Sequence, residues 1–244
     1  MTLIAVMVAP GSSCCTTTCL ALAAATPAVW RPMVTEFDAS GGDIAAWAER
    51  GEQPGWSTAV AGGDRSLDGL VPHVQRLASG VLLLAAPSRP TEAAVVVREA
   101  AGRFAPLLAG LSDSIVFADC GRATTEIPHA ATHAAVTVIV VRQNLLSAAV
   151  TVGRIDKAAA LVGRLRGQGL PVVTVVIGDG PYSPGEIATH LGVELVGVLP
   201  DDPTGATAVT KPPGRAPLAR AAGPLAHRLV SLVDVPEVAV GVTV

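Results

Sequence analysis

The residues best suited to chemistry stand near the start of the chain. Gly11-Ser12-Ser13-Cys14-Cys15-Thr16-Thr17-Thr18 lies between the apolar run Leu3–Ala9 and the helix-prone Cys19–Ala25. A strand, a loop of small residues and a Thr-rich helix start have the layout of a phosphate-binding P-loop. Such a loop works because backbone N–H groups and a helix N-terminus cradle phosphate, a lysine neutralises it, and a Ser or Thr hydroxyl holds Mg²⁺. Here the hydroxyls are in place, but Cys15 occupies the lysine position. The chemistry in question is nucleotide binding with its cation removed.

Asp38 and Asp119 each follow an apolar run, where a carboxylate can organise Mg²⁺ and water or anchor a loop by hydrogen bonds. With no lysine to balance it, Asp119 reads more naturally as an anchor, and no residue is assigned a catalytic role unless both carboxylates prove active. Thr16, Asp38 and Asp119 are the Mg²⁺ candidates if nucleotide binds. The simpler reading of Thr16 and Thr17 is that they cap the first helix. The four cysteines at 14, 15, 19 and 120 form no disulfide framework, and Cys-Cys-x-x-x-Cys lacks the two-residue spacing of zinc knuckles. They read as reduced, small-residue filling of a loop and a helix. Arg154, Lys157, Arg164 and Arg166 decorate one helical segment and read as a solvated face rather than a nucleic-acid surface, because no aromatic residues interleave them.

With 244 residues, the chain fits one large α/β domain with an extensive core. Half the residues are hydrophobic and only 3% aromatic, so small side chains must mediate helix–sheet packing. A formal net charge of −3 gives no global attraction to nucleic acid or anionic lipid. The start has no basic segment, and Leu3–Ala9 is too short for a signal or a membrane span. The expectation is a soluble, cytoplasmic protein that reaches the inner face of a membrane only through partners.

Strands are expected at Leu3–Val8, Pro32–Glu36, Val81–Ala85, Ser114–Ala118, Val136–Val141, Val172–Ile177 and Glu194–Val198. Helices are expected at Thr16–Ala25, up to Trp47, at Val71–Ala78, Glu92–Leu108, Leu145–Arg166 (the longest), Pro184–Leu191 and Pro217–Val233, with a loop and short helix over Gln53–Gly69. Near-continuous Val/Ile/Leu strands imply burial on both faces, hence a mostly parallel, doubly wound sheet. Ligands of such sheets sit at the carboxyl ends of the strands, where the loop, Asp38, Asp119 and Pro200–Asp202 all fall. Residues 1–233 form this domain, and 234–244 an apolar tail suited to an edge strand, a partner contact or loose order.

In this order and spacing the elements resemble the ParA/MinD group of deviant-Walker P-loop ATPases, over roughly Met1–Val233. Against that group's Lys-Gly-Gly-x-Gly-Lys-Thr-Thr loop, Pro10 takes the signature-lysine position and Cys15 the Walker lysine, while Thr16 and Thr17 match. Glu36-Phe37-Asp38 corresponds to Asp-x-Asp, and Asp119 to the Walker B aspartate. The stretch Val136–Ser147 is similar to the family's Val-Val…Ser region. Gly197-Val198-Leu199-Pro200-Asp201-Asp202 is similar to a segment that borders adenine in relatives. The chain also resembles an actinobacterial MinD-like subgroup whose loops lack the Walker lysine, with counterparts at Glu36–Asp43 and Gly180–Pro184.

The resemblance implies a nucleotide site at Gly11, Ser12, Ser13, Cys14, Cys15, Thr16, Thr17, Pro200 and Asp202, here vestigial. Each lost lysine–phosphate contact is worth ~1–4 kcal/mol when partly exposed, and hydrolysis suffers further because transition-state charge goes uncompensated. Cys14 adds a Cβ where glycine is usual, and Gly178 falls near an adenine-reading Asn of many relatives. ATP and Mg²⁺ are expected to bind weakly or not at all, and any homodimer to be constitutive. The leading reading is a pseudo-ATPase scaffold that positions a pilus or secretion apparatus through protein partners, as the TadZ/CpaE branch does. An atypical ATPase of chromosome or plasmid partition or division-site placement comes next, then a small-molecule enzyme on the same fold, for which no acid–base constellation appears.

Overall fold

Val, Ile and Leu dominate both faces of the central strands, so the sheet is buried between two helical layers. The computed structural model describes residues 2–123, 126–212 and 214–233, and the expected tail at 234–244 lies outside them. The strands are β1 (Leu3–Val8), β2 (Met33–Glu36), β3 (Gln75–Arg76), β4 (Leu82–Leu84), β5 (Val116–Arg122), β6 (Val136–Arg142), β7 (Val172–Ile177) and β8 (Glu194–Leu199). They form one eight-stranded sheet in the order β3-β4-β2-β5-β1-β6-β7-β8. Only the β3–β4 pair is antiparallel.

The helices are α1 (Cys15–Ala25), α2 (Ile44–Trp47), α3 (Trp56–Gly62), α4 (Leu67–Leu70), α5 (Pro90–Ala109), α6 (His129–Thr132), α7 (Ala148–Gly167), α8 (Pro184–Leu191), α9 (Pro203–Ala206) and α10 (Pro217–Ser231). Alternation along β1 divides the core: Leu3, Ala5 and Met7 face the layer of α3, α5, α7 and α8, whereas Ile4, Val6 and Val8 face α1 and α10. On the first face Trp56 stacks between Phe37 and Phe104, at centroid distances of 5.3 and 5.5 Å, and its indole N–H donates to Thr35 Oγ1. The chain runs from β1 to β2 on one side and later from β5 past β1 to β6 on the other, and this reversal opens a crevice at the strands' carboxyl ends.

Three expectations change. Val71–Ala78 is not a helix: a 3₁₀ turn at Val71–His73 leads into β3, which folds back on β4 through a turn containing Gly80 at φ 89. The β-branched Val71 and Val74 and the Ser79-Gly80 turn outweigh the apolar spacing. β5 begins two residues later than expected and continues to Arg122, so Asp119 lies inside the strand rather than beyond it. Finally, α7 starts at Ala148, because Asn144 Oδ1 accepts the Leu146 N–H and Ser147 Oγ caps the helix at Val150 N–H. It equals α5 in length, at 20 residues each.

Candidate functional site

The loop from β1 to α1 turns at two left-handed residues, Gly11 at φ 86 and Cys14 at φ 77. Glycine adopts this backbone freely, but the Cβ of Cys14 makes it cost about 1–2 kcal/mol. Ser12 is buried; its N–H donates to Ala9 C=O at 3.0 Å and its Oγ accepts the Arg142 N–H at 3.3 Å. Cys14 is the N-cap residue and contributes no capping side-chain bond. Thr16 and Thr17 therefore lie within the first helical turn, which removes the expected capping role for them.

Cys15 opens α1 and points inward. Its thiol is 6% exposed and donates to Val6 C=O at 3.1 Å, so the side chain packs beneath the helix. Burial pushes the Cys15 thiol well above its usual value. In register across three strands, Val6 of β1 pairs with Asp119 of β5, which in turn pairs with Glu36 of β2. Burial pushes the Asp119 carboxyl up, opposed by the nearby Thr16 hydroxyl and Cys15 thiol and by the hydrogen bond it accepts from the Gly121 N–H at 3.0 Å. No salt bridge among the described residues includes Asp119.

Asp38 stands just past β2, where its Oδ1 accepts the Ser40 N–H at 2.7 Å. Its carboxylate fills the space that a Cβ on Gly121 would take, so at φ 60 only glycine fits there. The structure thus gathers Thr16, Asp38 and Asp119, as the sequence suggested. Glu36 was missed as a functional residue. Its buried Oε1 accepts N–H groups of Asp43 and Ile44 at 2.8 and 2.9 Å, and its Oε2 that of Ala86 at 2.9 Å. Burial pushes this carboxyl up to about 7 despite those three bonds.

On the other flank of the loop the charge is positive. Arg142, at the end of β6, donates from Nη1 to Ser13 Oγ at 3.3 Å, and from Nε and Nη2 to Asp201 Oδ2 at 3.2 and 2.6 Å. Arg154 on α7 donates to the carbonyls of Gly11, Arg142 and Gln143 at 3.0, 2.9 and 3.3 Å. Lys157 Nζ stands 3.4 Å from the position of a Cβ on Gly11. Arg154 is thus bound to loop backbone rather than sitting on a solvated face. Pro200 follows β8, and Asp202 accepts the N–H groups of Gly205 and Leu218, tying α9 to the start of α10. Asp201, not Asp202, pairs with Arg142 beside the loop.

This arrangement can be set beside known structures. The chain superposes on MinD complexed with Mg-ADP from Pyrococcus horikoshii OT3 with a TM-score of 0.72 at 16% identity, over 95% of this chain and 97% of that one. The fold is that of the MinD and ParA ATPases. MinD of the Aquifex aeolicus MinC:MinD cell division complex gives a TM-score of 0.66 at 18% identity, over 95% and 96% of the two chains. A ParA family ATPase from Chlorobium tepidum TLS gives 0.69 at 13%, over 93% and 98%. No protein-family model and no curated protein matches the sequence.

On this MinD-like fold the residues meet only part of the demand of ATP and Mg²⁺. The loop keeps its left-handed turns, and Thr16 stands against Asp119 as a cation-holding pair would. Cys15 instead sends its side chain into the core, where its thiol donates to Val6 C=O. Arg142 and Arg154, which bond to the loop, are also engaged by Asp201 and by backbone carbonyls.

Proposed function

We propose that the chain is a MinD-like pseudo-ATPase that positions protein machinery, such as a pilus or secretion apparatus, with little or no ATP hydrolysis. The observation that carries the reading is Cys15: where phosphate charge needs a cation, its thiol is buried against Val6 C=O. Pro10 likewise removes the lysine that would cross to a partner's phosphates, so homodimerisation does not depend on ATP. Support for protein partners comes from Leu145, Leu146, Val150 and Val152, which are exposed together where β6 leads into α7; Leu146 is 95% exposed. No helix among the described residues is long and apolar enough to cross a membrane, which fits recruitment through partners.

The test is titration of the purified chain with ATP and Mg²⁺, read by calorimetry, phosphate release and sedimentation. The expected result is no saturable binding in the micromolar range, no turnover and one unchanged sedimentation coefficient. Low-micromolar binding with turnover overturns the reading. Arg142, Arg154 and Lys157 around the loop favour a second reading, an atypical ATPase whose cations come from β6 and α7. Turnover abolished by Arg154→Ala would establish that one instead.

A further inference from the structure

Beneath the loop, Cys15 and Cys19 lie four residues apart on α1, which places both side chains on one face of the helix. That face packs against β5, where Asp119 presents its carboxylate. The two Sγ atoms and one carboxylate oxygen all lie within 4.8 Å of one another, and all three residues are buried. Among the described residues no other group of His, Cys, Asp and Glu converges in this way. We propose that Cys15, Cys19 and Asp119 form a binding site for a thiophilic divalent cation, of which Zn²⁺ is the natural occupant.

The donor set selects the metal. Two thiolates and one carboxylate suit Zn²⁺, whereas Mg²⁺ takes oxygen ligands in an octahedron. With Zn–S near 2.3 Å and Zn–O near 2.0–2.2 Å, tetrahedral ligands sit ~3.5–3.8 Å apart. The three atoms are already within 4.8 Å, so rotation about the cysteine Cα–Cβ bonds is enough to close the gap. The nearby Thr16 hydroxyl or a water completes the four.

Electrostatics give a reason for a cation here. Asp119 is a buried carboxyl with Glu36 beside it in register and Asp38 nearby, and among the described residues no salt bridge reaches it. A divalent ion supplies the charge that the missing lysine does not. Binding exchanges protons for metal: M²⁺ displaces one proton from each thiol and joins the carboxylate, giving an assembly of net charge −1 with two protons released. The N-terminal end of α1, which begins at Cys15, favours that residual negative charge. The Cys15–Val6 hydrogen bond is given up as the sulfur turns to the metal.

The reduced, chelator-stripped chain is titrated with Co²⁺ and then Zn²⁺, without nucleotide, so the outcome is independent of any ATP binding. One equivalent of Co²⁺ should produce a thiolate-to-cobalt charge-transfer band and tetrahedral visible absorption, both erased by Zn²⁺. Cys15→Ala and Cys19→Ala should each weaken binding at least tenfold, and Asp119→Asn should weaken it while retaining the charge-transfer band. Cys14→Ser and Cys120→Ala should change nothing. A measurement on the unmodified chain covers variants that fail to fold: Zn²⁺ should protect Cys15 and Cys19, but not Cys14, from alkylation in mild denaturant. The proposal is overturned by absence of the charge-transfer band at one equivalent. Its persistence in Cys15→Ala/Cys19→Ala, or equal alkylation of all cysteines with and without Zn²⁺, overturns it as well.

Discussion

The two flanks of the β1–α1 loop carry opposite charge and differ in how they use it. On the β5–β2 side, Asp119 and Glu36 are buried carboxyls that accept backbone N–H groups, with the Cys15 thiol and Thr16 hydroxyl near Asp119. On the β6–α7 side, Arg142 and Arg154 are partly exposed and bonded to Asp201, Ser13 and backbone carbonyls. In a working P-loop, cation and carboxylate act together on one Mg²⁺–phosphate group. Here the positive and negative halves each find partners in their own flank. Each set fastens neighbouring elements together, and burial decides how much each bond matters.

The largest effect should follow from breaking the buried flank. Glu36→Ala leaves three backbone N–H groups without an acceptor, and the expected loss is about 3–5 kcal/mol of stability. Urea denaturation measures it, and a loss below that of Arg154→Ala would reverse the comparison.

The same carboxyl sets a pH dependence. Burial raises the folded-state value of Glu36 from 4.5 to about 7, so between these the folded chain holds more protons than the unfolded one. Stability therefore falls as pH rises through that window, by about 3 kcal/mol if Glu36 acts alone. Asp119, also raised, adds in the same direction. Below the window the sign reverses, because backbone hydrogen bonds hold the Asp202 carboxyl under its usual value. Thermal melts at pH 5 and 7.5 should show the difference, and Glu36→Gln should remove most of it.

On the exposed flank the effects shrink. Arg154→Ala should cost about 1–2 kcal/mol, since its guanidinium serves three carbonyls. Arg142→Ala should cost less, because its pairing with Asp201 is partly exposed. A double-mutant cycle on Arg142 and Asp201 gives the pair term directly. The smallest change is a gain: Cys14→Gly relieves a left-handed backbone and should stabilise by about 0.5–1 kcal/mol in the same denaturation assay.

Much of the scaffold was legible. Continuous Val and Ile runs located β1, β6 and β7 to within a residue or so, and Pro184 with the following Gly192 bracketed α8. The hairpin at β3 was not, because a two-residue strand carries no period and its partner lies across a turn. The loop, Thr16, Asp38 and Asp119 were singled out by their order along the chain, and the fold sets Thr16 and Asp38 near Asp119. Glu36 was quoted in a motif yet assigned nothing, since its three acceptor bonds involve backbone at Asp43, Ile44 and Ala86, where no side chain signals the need.

The sequence by itself determined the alternation of strands and helices and that a cysteine rather than a cationic residue stands at position 15, because hydrophobic period and residue type are local properties. Only the tertiary structure decided that Arg142, held by Asp201, and Arg154 meet the loop from one side, and that Cys15, Cys19 and Asp119 converge beneath it from the other. Those groups sit on elements far apart in the chain, and what brings them together is the strand order and the inward turn of α1, imposed by packing of the whole sheet.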